Sequence, residues 1–158
     1  MRALLVANLL LLPRMAVAGY AKQETEFHLD APAAKVCEWI EKHPKDLERA
    51  AGADVVAERD DLVKLDRIDE RGRYIFWVKR SAVRGRYREV LVETVAGGLT
   101  RWQTDVLVVA NPEGGCDVTI RMTATVDDVA NVKIAVACRR AIKGMRALVE
   151  KTFGQQLP

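Results

Sequence analysis

The sequence has few of the side chains on which most enzyme mechanisms depend. Ser81 is the only serine, and His28 and His43 are the only histidines, among 158 residues. A serine nucleophile needs a neighbouring base that activates its hydroxyl, and the sequence contains no motif of that kind. The glycine pairs at 97–98 and 114–115 lie in expected turns and do not form a phosphate-binding loop. We therefore predict no catalytic residues and no cofactor, and we favour a binding protein over an enzyme.

Cysteine is also scarce, and its spacing argues against a bound metal ion. Cys37, Cys116 and Cys138 make an odd count, and the intervals between them match no metal-binding motif. Cys37 and Cys138 lie among apolar neighbours on expected helices, which is typical of small buried hydrophobic side chains. If the chain is exported to an oxidising compartment, one disulfide bond between two of these cysteines remains possible.

An excess of charge of one sign is missing as well. The chain has 25 basic and 22 acidic residues, and its formal net charge is +3. Residues 1–18 hold two arginines and no acidic residue, so 23 basic and 22 acidic residues remain in the rest of the chain. Proteins that bind nucleic acid through its phosphates need a strongly basic surface. We therefore expect no nucleic-acid partner.

No apolar run approaches the roughly 20 residues that a membrane-spanning helix needs. The most apolar stretch spans residues 3–12, and it lies between Arg2 and the small residues at 16–18. A short positive end, an apolar core and a small-residue cleavage site are typical of a secretory signal peptide. We predict a signal peptide at residues 1–18 and a single domain at residues 19–158.

This prediction places the mature protein in the bacterial periplasm or outside the cell. Arg14 departs from the usual pattern of such a leader, and translation could instead begin at Met15. In that case the protein is cytoplasmic. Either location allows contact with a membrane surface, but neither involves integral insertion.

The C-terminal part of the chain contains a long one-sided helix. Apolar residues recur there at steps of three and four, with basic residues on the opposite side. The apolar stripe consists of Ile134, Cys138, Ala141, Ile142, Met145, Leu148 and Val149. Asp127 and Asp128 precede the stripe, where carboxylates can cap free N–H groups. We predict a helix over residues 127–153, roughly 40 Å long at ~1.5 Å per residue.

One strand, two short helices and six further strands are predicted ahead of this helix. Residues 22–29 alternate between apolar and polar, as a half-buried strand does. Pro32 and Pro44 lie where the two short helices begin, and Gly52 lies where the second one ends. From residue 53 to 126, apolar and polar residues alternate with a period of two, and turn motifs separate the alternating segments. Successive strands without intervening helices favour an antiparallel sheet.

The last two predicted strands have the clearest register. The loop at 111–115 is rich in turn-forming residues, and it pairs Ala110 with Cys116. One face of the sheet then carries Trp102, Thr104, Val106, Val108, Val118, Ile120, Met122, Ala124 and Val126. Because these side chains are mostly apolar, we expect that face to be buried.

The preceding strand, over residues 84–95, has two alternative registers. With a three-residue loop at 96–98, the side chains of Arg88, Val90 and Val92 point inward. A two-residue glycine turn instead buries Glu89 and Glu93. We prefer the first register because burying two carboxylates is costly, although a slip of one residue reverses every side chain.

Three stretches of sequence match a known fold pattern. Residues 26–39, EFHLDAPAAKVCEW, look like a first strand and helix, and residues 114–120, GGCDVTI, look like a last hairpin. The amphipathic helix that follows completes a chain that resembles the START-like (SRPBCC) superfamily over residues 22–156. That superfamily includes lipid-transfer proteins, pollen allergens and polyketide cyclases. The resemblance implies an α+β helix-grip fold, in which a curved seven-stranded antiparallel sheet surrounds the long C-terminal helix.

The resemblance also implies a cavity between sheet and helix that binds a hydrophobic small molecule or lipid. The expected ligand-binding residues are Phe76, Arg88, Val90, Trp102, Thr104, Met122, Ile142 and Met145. The same side chains could instead fill a solid core. Arg88 is the charged residue expected to point inward, where a guanidinium could bind an anionic group; otherwise it lies at the sheet edge with its charge in water.

The sequence is compatible with two other functions. Because the superfamily includes polyketide cyclases, the chain could be a cyclase-like or aromatase-like enzyme that uses Tyr87, Arg88 and Thr104. Alternatively, the five basic residues between Lys79 and Arg88 could form a contact surface for a partner or for anionic lipid. A solvent-exposed hairpin is the commoner explanation of such a run, and the sequence does not predict an oligomeric state.

Overall fold

The computed structural model describes residues 19–69, 72–127 and 131–154. The predicted signal peptide at residues 1–18 lies outside the described residues. The described part of the chain forms a seven-stranded antiparallel sheet with two short helices and one long helix. No helix in the described ranges is both long enough and apolar enough to span a membrane.

The elements follow the predicted order. The strands are β1 (Gly19–Leu29), β2 (Ala53–Arg59), β3 (Leu62–Asp69), β4 (Gly72–Val83), β5 (Arg86–Ala96), β6 (Leu99–Ala110) and β7 (Cys116–Val126). The helices are α1 (Ala33–Lys42), α2 (Pro44–Ala50) and α3 (Asn131–Phe153). In the sheet the strands lie in the order β1-β7-β6-β5-β4-β3-β2. The sheet wraps α3 as the helix-grip fold requires, so the predicted fold class is confirmed.

Helix α3 buries the predicted apolar stripe. It is described over Asn131–Phe153, and these 23 residues extend about 35 Å. Asp127 follows β7, and its backbone N–H donates to the carbonyl of Gly98 in the β5–β6 turn at 2.9 Å. Asp128 lies outside the described residues, so the capping role expected of Asp127 and Asp128 stays a prediction.

The two short helices close one end of the sheet. Pro32 precedes the first turn of α1, and its carbonyl accepts a hydrogen bond from the N–H of Lys35 at 3.0 Å. Pro44 is at the start of α2, where its missing N–H costs nothing. After α2, Gly52 has a φ of +83°, a left-handed conformation that ends the helix. Their inward side chains, Val36, Ile40 and Leu47, are buried in the core.

The predicted register of β6 and β7 is confirmed. Ala110 pairs with Cys116 across the loop, and Thr104 pairs with Met122. The inner-face residues predicted for these two strands, from Trp102 to Val108 and from Val118 to Val126, are buried.

The preferred register of β5 is wrong. Glu89 pairs with Thr104 and is 0% exposed, whereas Val90 is 37% exposed. Arg88 lies on the outer face and donates from Nε to Oδ1 of Asp105 at 2.7 Å. Val92 is also exposed. The cost of burying Glu89 is offset because Arg80 and Tyr87 donate hydrogen bonds to it.

A β-bulge then returns Glu93 to the outer face. Leu91 pairs with the buried Val78, whereas Glu93 pairs with Trp77, so the register shifts by one residue between these pairs. Neither simple register considered from the sequence includes such a bulge. Consequently a single carboxylate of this strand is buried, where the alternative register required two.

The three cysteines are free. Cys116 and Cys138 are buried and Cys37 is partly buried. Burial raises the pKa of the Cys138 thiol to about 11, so this side chain stays a protonated, apolar component of the core at neutral pH.

Candidate functional site

The space between sheet and α3 is occupied mainly by the predicted lining residues themselves. Six of the eight are buried: Phe76, Trp102, Thr104, Met122, Ile142 and Met145. The rings of Phe76 and Trp102 pack with their centroids 5.4 Å apart. The other two, Arg88 and Val90, lie on the outer face of β5 and do not belong to this interior.

An open cleft lies beside this interior, between the end of α2, β3 and the first half of α3. We call it the α2–β3–α3 cleft. Its volume is about 200 Å³. It is lined by Ala50, Ala51, Gly52, Arg67, Ile68, Asp69, Val136, Ala137 and Arg140. Four of these nine residues are alanine or glycine, and longer side chains at those positions would fill the opening.

A close approach between α2 and α3 brings the two helices together beside this cleft. Gly144 of α3 lies directly against the carbonyl oxygen of Ala50 in α2, and a Cβ atom at position 144 would collide with that oxygen. Glycine is unfavourable within a helix by roughly 1 kcal/mol relative to alanine. The contact between the two helices offsets that cost and keeps the cleft narrow.

Arg67 forms the inner wall of the cleft. It follows Val63 and Leu65 on the inward-facing side of β3 and is only 5% exposed. Its Nη2 donates to the carbonyl of Ala137 at 3.2 Å, and its guanidinium lies 5.2 Å from the centre of the Trp102 ring. Burial lowers the pKa of Arg67, but arginine starts so far above neutrality that the group stays charged.

Two donors in this region have no acceptor among the described residues. They are Nη1 of Arg67 and Nε1 of Trp102, and both atoms are shielded from solvent. A buried donor without a partner costs about 1–3 kcal/mol. Such groups are uncommon in native proteins, and an ordered water, an ion or a bound ligand can satisfy them.

A buried acidic pair lies deeper in the interior. Glu48 of α2 hydrogen-bonds Glu89 of β5, and both side chains are buried. Burial, and then the charge of Glu89, raise the pKa of Glu48 well above its ordinary value. The neutral form of Glu48 is therefore favoured beside Glu89.

Glu89 also accepts hydrogen bonds from Tyr87 and Arg80. The Tyr87 hydroxyl contacts Oε1 of Glu89, and Nε of Arg80 lies 3.0 Å from the same oxygen. Burial and the neighbouring carboxyl groups raise the pKa of Tyr87, so its hydroxyl remains a neutral donor. The cluster thus holds one carboxylate, one guanidinium and two neutral donors.

Sequence reasoning missed Arg67, Glu48 and Glu89. A signal for Arg67 was present, because it continues the inward alternation of Val63 and Leu65. Burial of Glu89 was weighed and rejected because the register that buries it was expected to bury Glu93 as well, at the cost of two carboxylates. Glu48 had no signal, because it lies beside Leu47 on a helix of only 7 residues.

The basic run between Lys79 and Arg88 is largely neutralised by neighbouring acids. Arg86 and Arg88 both bind Asp105, at 3.0 and 2.7 Å, and Arg80 turns inward to Glu89. Lys79 pairs with Asp61 at 3.0 Å. These pairs engage four of the five basic residues, but Lys79, Arg86 and Arg88 remain partly exposed, and the basic contact surface stays an alternative prediction.

A second groove lies on the outside of the fold, between β1 and α3, and has a volume of about 510 Å³. Charged residues, among them Glu24, Lys143, Arg146 and Glu150, line its walls, but most of its lining surface is apolar. Arg146 is held there by Glu150 at 2.9 Å and by Thr25 at 3.2 Å. Glu24 is paired with Arg121 of β7, which lies outside the groove. In the described ranges, no group of three or more histidine, cysteine or acidic residues could hold a metal ion.

Comparison by sequence with protein families and with curated proteins finds no match. Comparison of structures finds the same fold in several proteins. A START superfamily protein from Mycobacterium smegmatis is 11% identical, with a TM-score of 0.58, over 87% of this chain and 99% of its own. The ginseng major latex-like protein 151 from Panax ginseng is 13% identical, with a TM-score of 0.60, over 88% of this chain and 99% of its own.

An enzyme shares the fold as well. The ZhuI aromatase/cyclase from Streptomyces sp. R1128 is 10% identical, with a TM-score of 0.60, over 84% of this chain and 94% of its own. At these identities the likeness is one of fold, and a fold of this kind hosts unrelated functions. The predicted resemblance to START-like proteins is confirmed at that level.

Proposed function

We propose that this START-like fold binds a hydrophobic small molecule, which enters the interior through the α2–β3–α3 cleft. The observation that carries the proposal is the position of the cleft, which opens between small residues beside an apolar core. Binding sites for small molecules are usually concave, mostly apolar and equipped with a few polar groups. Arg67 supplies such a polar group here.

The interior can adapt to a guest of irregular shape. Met122 and Met145 are flexible and polarisable, and they lie among the aromatic rings of Phe76 and Trp102. A ligand that buries about 200 Å² of apolar surface gains roughly 5 kcal/mol. That gain is equivalent to a dissociation constant on the order of 0.1 mM before association costs.

The proposal is tested by filling the cleft. Full-length protein is purified and titrated with an environment-sensitive apolar fluorophore, and lipids that co-purify are identified by mass spectrometry. Ala137→Phe places a ring in the cleft and should weaken fluorophore binding at least about tenfold. Ala147→Phe is the matched control, because Ala147 is an exposed residue of the same helix in the outer groove.

Equal loss of binding in both variants, or unchanged binding in Ala137→Phe, would show that the cleft is not the entrance. An additional role in carrying the ligand across the cell envelope depends on the predicted signal peptide. N-terminal sequencing of protein from its native host tests this, since export predicts a chain that begins near residue 19.

A second candidate function is a cyclase-like reaction. The observation in its favour is the buried group of Glu48, Tyr87 and Glu89, which can donate and accept protons away from bulk water. Arg88 does not support this function, because its side chain lies on the outer face of the sheet. Thr104 lies on the inner face and pairs with Glu89. Turnover of a polyketone substrate that is lost in Glu48→Gln and kept in Arg88→Ala would support the reaction, and absence of turnover in the unaltered protein would exclude it for that substrate.

A further inference from the structure

We infer that the ligand of the α2–β3–α3 cleft carries an oxyanion, a carboxylate or a phosphate monoester, that binds the guanidinium of Arg67. The inference rests on the proposed function and specifies the chemistry of its ligand. It starts from an unusual feature of the fold: an arginine whose side chain is 95% buried and whose Nη1 has no acceptor among the described residues.

The burial of this cation is unfavourable unless a partner compensates it. Moving an ion out of water costs several kcal/mol, and a counter-ion with good hydrogen-bond geometry recovers most of that cost. The described residues give Arg67 one hydrogen bond, to the carbonyl of Ala137, and one ring contact, to Trp102. Both of these partners are neutral, and the Ala137 hydrogen bond, at 3.2 Å, is at the long end of the usual range. The charges of Glu48 and Asp69 also favour the charged form of Arg67.

The two deeper carboxyl groups are not hydrogen-bond partners that the described residues give to Arg67. Burial raises the pKa of Glu48 well above its ordinary value, which favours its neutral form, and Glu89 is bound by Arg80. The charged residues that line the cleft itself are Arg67, Asp69 and Arg140. Of these three, Arg67 is the one that is buried, so its guanidinium is the group that an anion would reach last and bind most strongly.

A second buried donor supports the same chemistry. Nε1 of Trp102 also has no acceptor among the described residues, and the Trp102 ring lies 5.2 Å from the Arg67 guanidinium. An anion in this region could accept from both side chains. Guanidinium groups bind carboxylate and phosphate with two parallel hydrogen bonds, and Arg67 already lines the cleft.

The experiment compares three ligands that share an eight-carbon chain. Octanoate, octyl phosphate and octanol are titrated calorimetrically into full-length protein at constant ionic strength. We expect at least one anion to bind about tenfold or more tightly than octanol, and the tighter of the two identifies the head group. This preference is measured on the unaltered protein, so it does not depend on a variant that folds.

The variant Arg67→Met then tests whether Arg67 causes the preference for an anion over octanol. The variant should bind all three ligands with similar affinity, because methionine keeps the apolar stem and removes the charge. Urea denaturation of the variant is measured in parallel, so that affinities are compared only where the protein is folded. Arg146→Met is the matched control, since Arg146 belongs to the outer groove, and it should keep the preference.

The outcomes separate this inference from the proposed function. Equal affinity for octanol and both anions in the unaltered protein overturns the oxyanion inference and leaves hydrophobic binding intact. A preference for anions that survives Arg67→Met overturns the role of Arg67. If none of the three ligands binds, both the inference and the proposed function fail for this cleft.

Discussion

Nε of Arg80 lies 3.0 Å from Oε1 of Glu89, and Glu89 is a side chain with no exposed surface. Arg80 belongs to β4 and Glu89 to β5, and the two residues are directly paired in the sheet. The pair explains how a carboxylate can occupy the inner face of an apolar sheet. It also makes the interior sensitive to changes in either partner.

Removing one partner should therefore cost more than removing both. Arg80→Met leaves the Glu89 carboxylate buried without its cation, and we expect the free energy of unfolding to fall by about 3–5 kcal/mol. In the double variant Arg80→Met/Glu89→Gln the loss should be clearly smaller, because no uncompensated charge remains. Urea denaturation of the two single variants and the double variant measures the coupling. Additive losses would show that the pair is not coupled.

The pH dependence of stability should reveal the protonated Glu48. Its pKa is raised in the folded state above the ordinary value of 4.5, so the folded protein binds a proton that the unfolded chain releases near that pH. This contribution to stability is fully present below pH 4.5 and is lost as the pH rises toward the folded-state pKa.

Glu48→Gln keeps a hydrogen-bond donor and removes this titration. The stability of the Gln variant relative to the unaltered protein should therefore increase above pH 4.5, by at most about 1.4 kcal/mol per pH unit. The groups that face Glu48 are Glu89, Arg80 and Arg67, and all three remain in the variant. A difference that does not change between pH 4 and 8 would contradict a protonated Glu48.

Asp105 should show the opposite pH dependence. Burial raises its pKa, but hydrogen bonds from Arg88, Gln103 and Arg86 outweigh burial and lower it overall. A lowered pKa contributes stability above the ordinary value of 3.8, and this stability is lost as the pH falls through the folded-state pKa.

Asp105→Asn should destabilise the protein by about 1 kcal/mol at neutral pH, because its two arginine partners are partly solvated. The difference from the unaltered protein should shrink in acid. Thermal unfolding at pH 7 and at pH 3 gives both values. A deficit that is as large at pH 3 as at pH 7 would argue against an ionised Asp105.

Gly144→Ala tests the close approach of α2 and α3. Helix propensity alone predicts that this change stabilises the protein by roughly 1 kcal/mol. The collision of the new Cβ with the Ala50 carbonyl predicts the opposite, a loss of about 1–3 kcal/mol as the helices separate. The sign of the change in unfolding free energy, from urea denaturation, decides between the two effects. A more stable variant would mean that α3 can shift without cost.

Local pattern was sufficient for much of the fold. Strict alternation in β7 and the turn-rich loop at 111–115 predicted the register of β6 and β7, because a strand with one buried face has period two. The apolar stripe of α3 predicted which side of the helix is buried, because a helix with one buried side repeats its apolar residues every three or four positions. The hydrogen bond between Asp127 and Gly98 was not predicted, because the two residues are distant along the chain.

The interior chemistry depended on neighbours that no local pattern identifies. Whether Glu89 or Val90 faces inward was settled by Arg80 on the adjacent strand, by Tyr87 and by Glu48 on a helix 41 positions earlier. The cleft likewise lies where three elements meet. Position 144 has no room for a Cβ atom because the carbonyl of Ala50, on another helix, lies against it. Periodicity follows from the geometry of one element and can be read along the chain, whereas the free energy of a buried charge depends on the atoms that tertiary packing places around it.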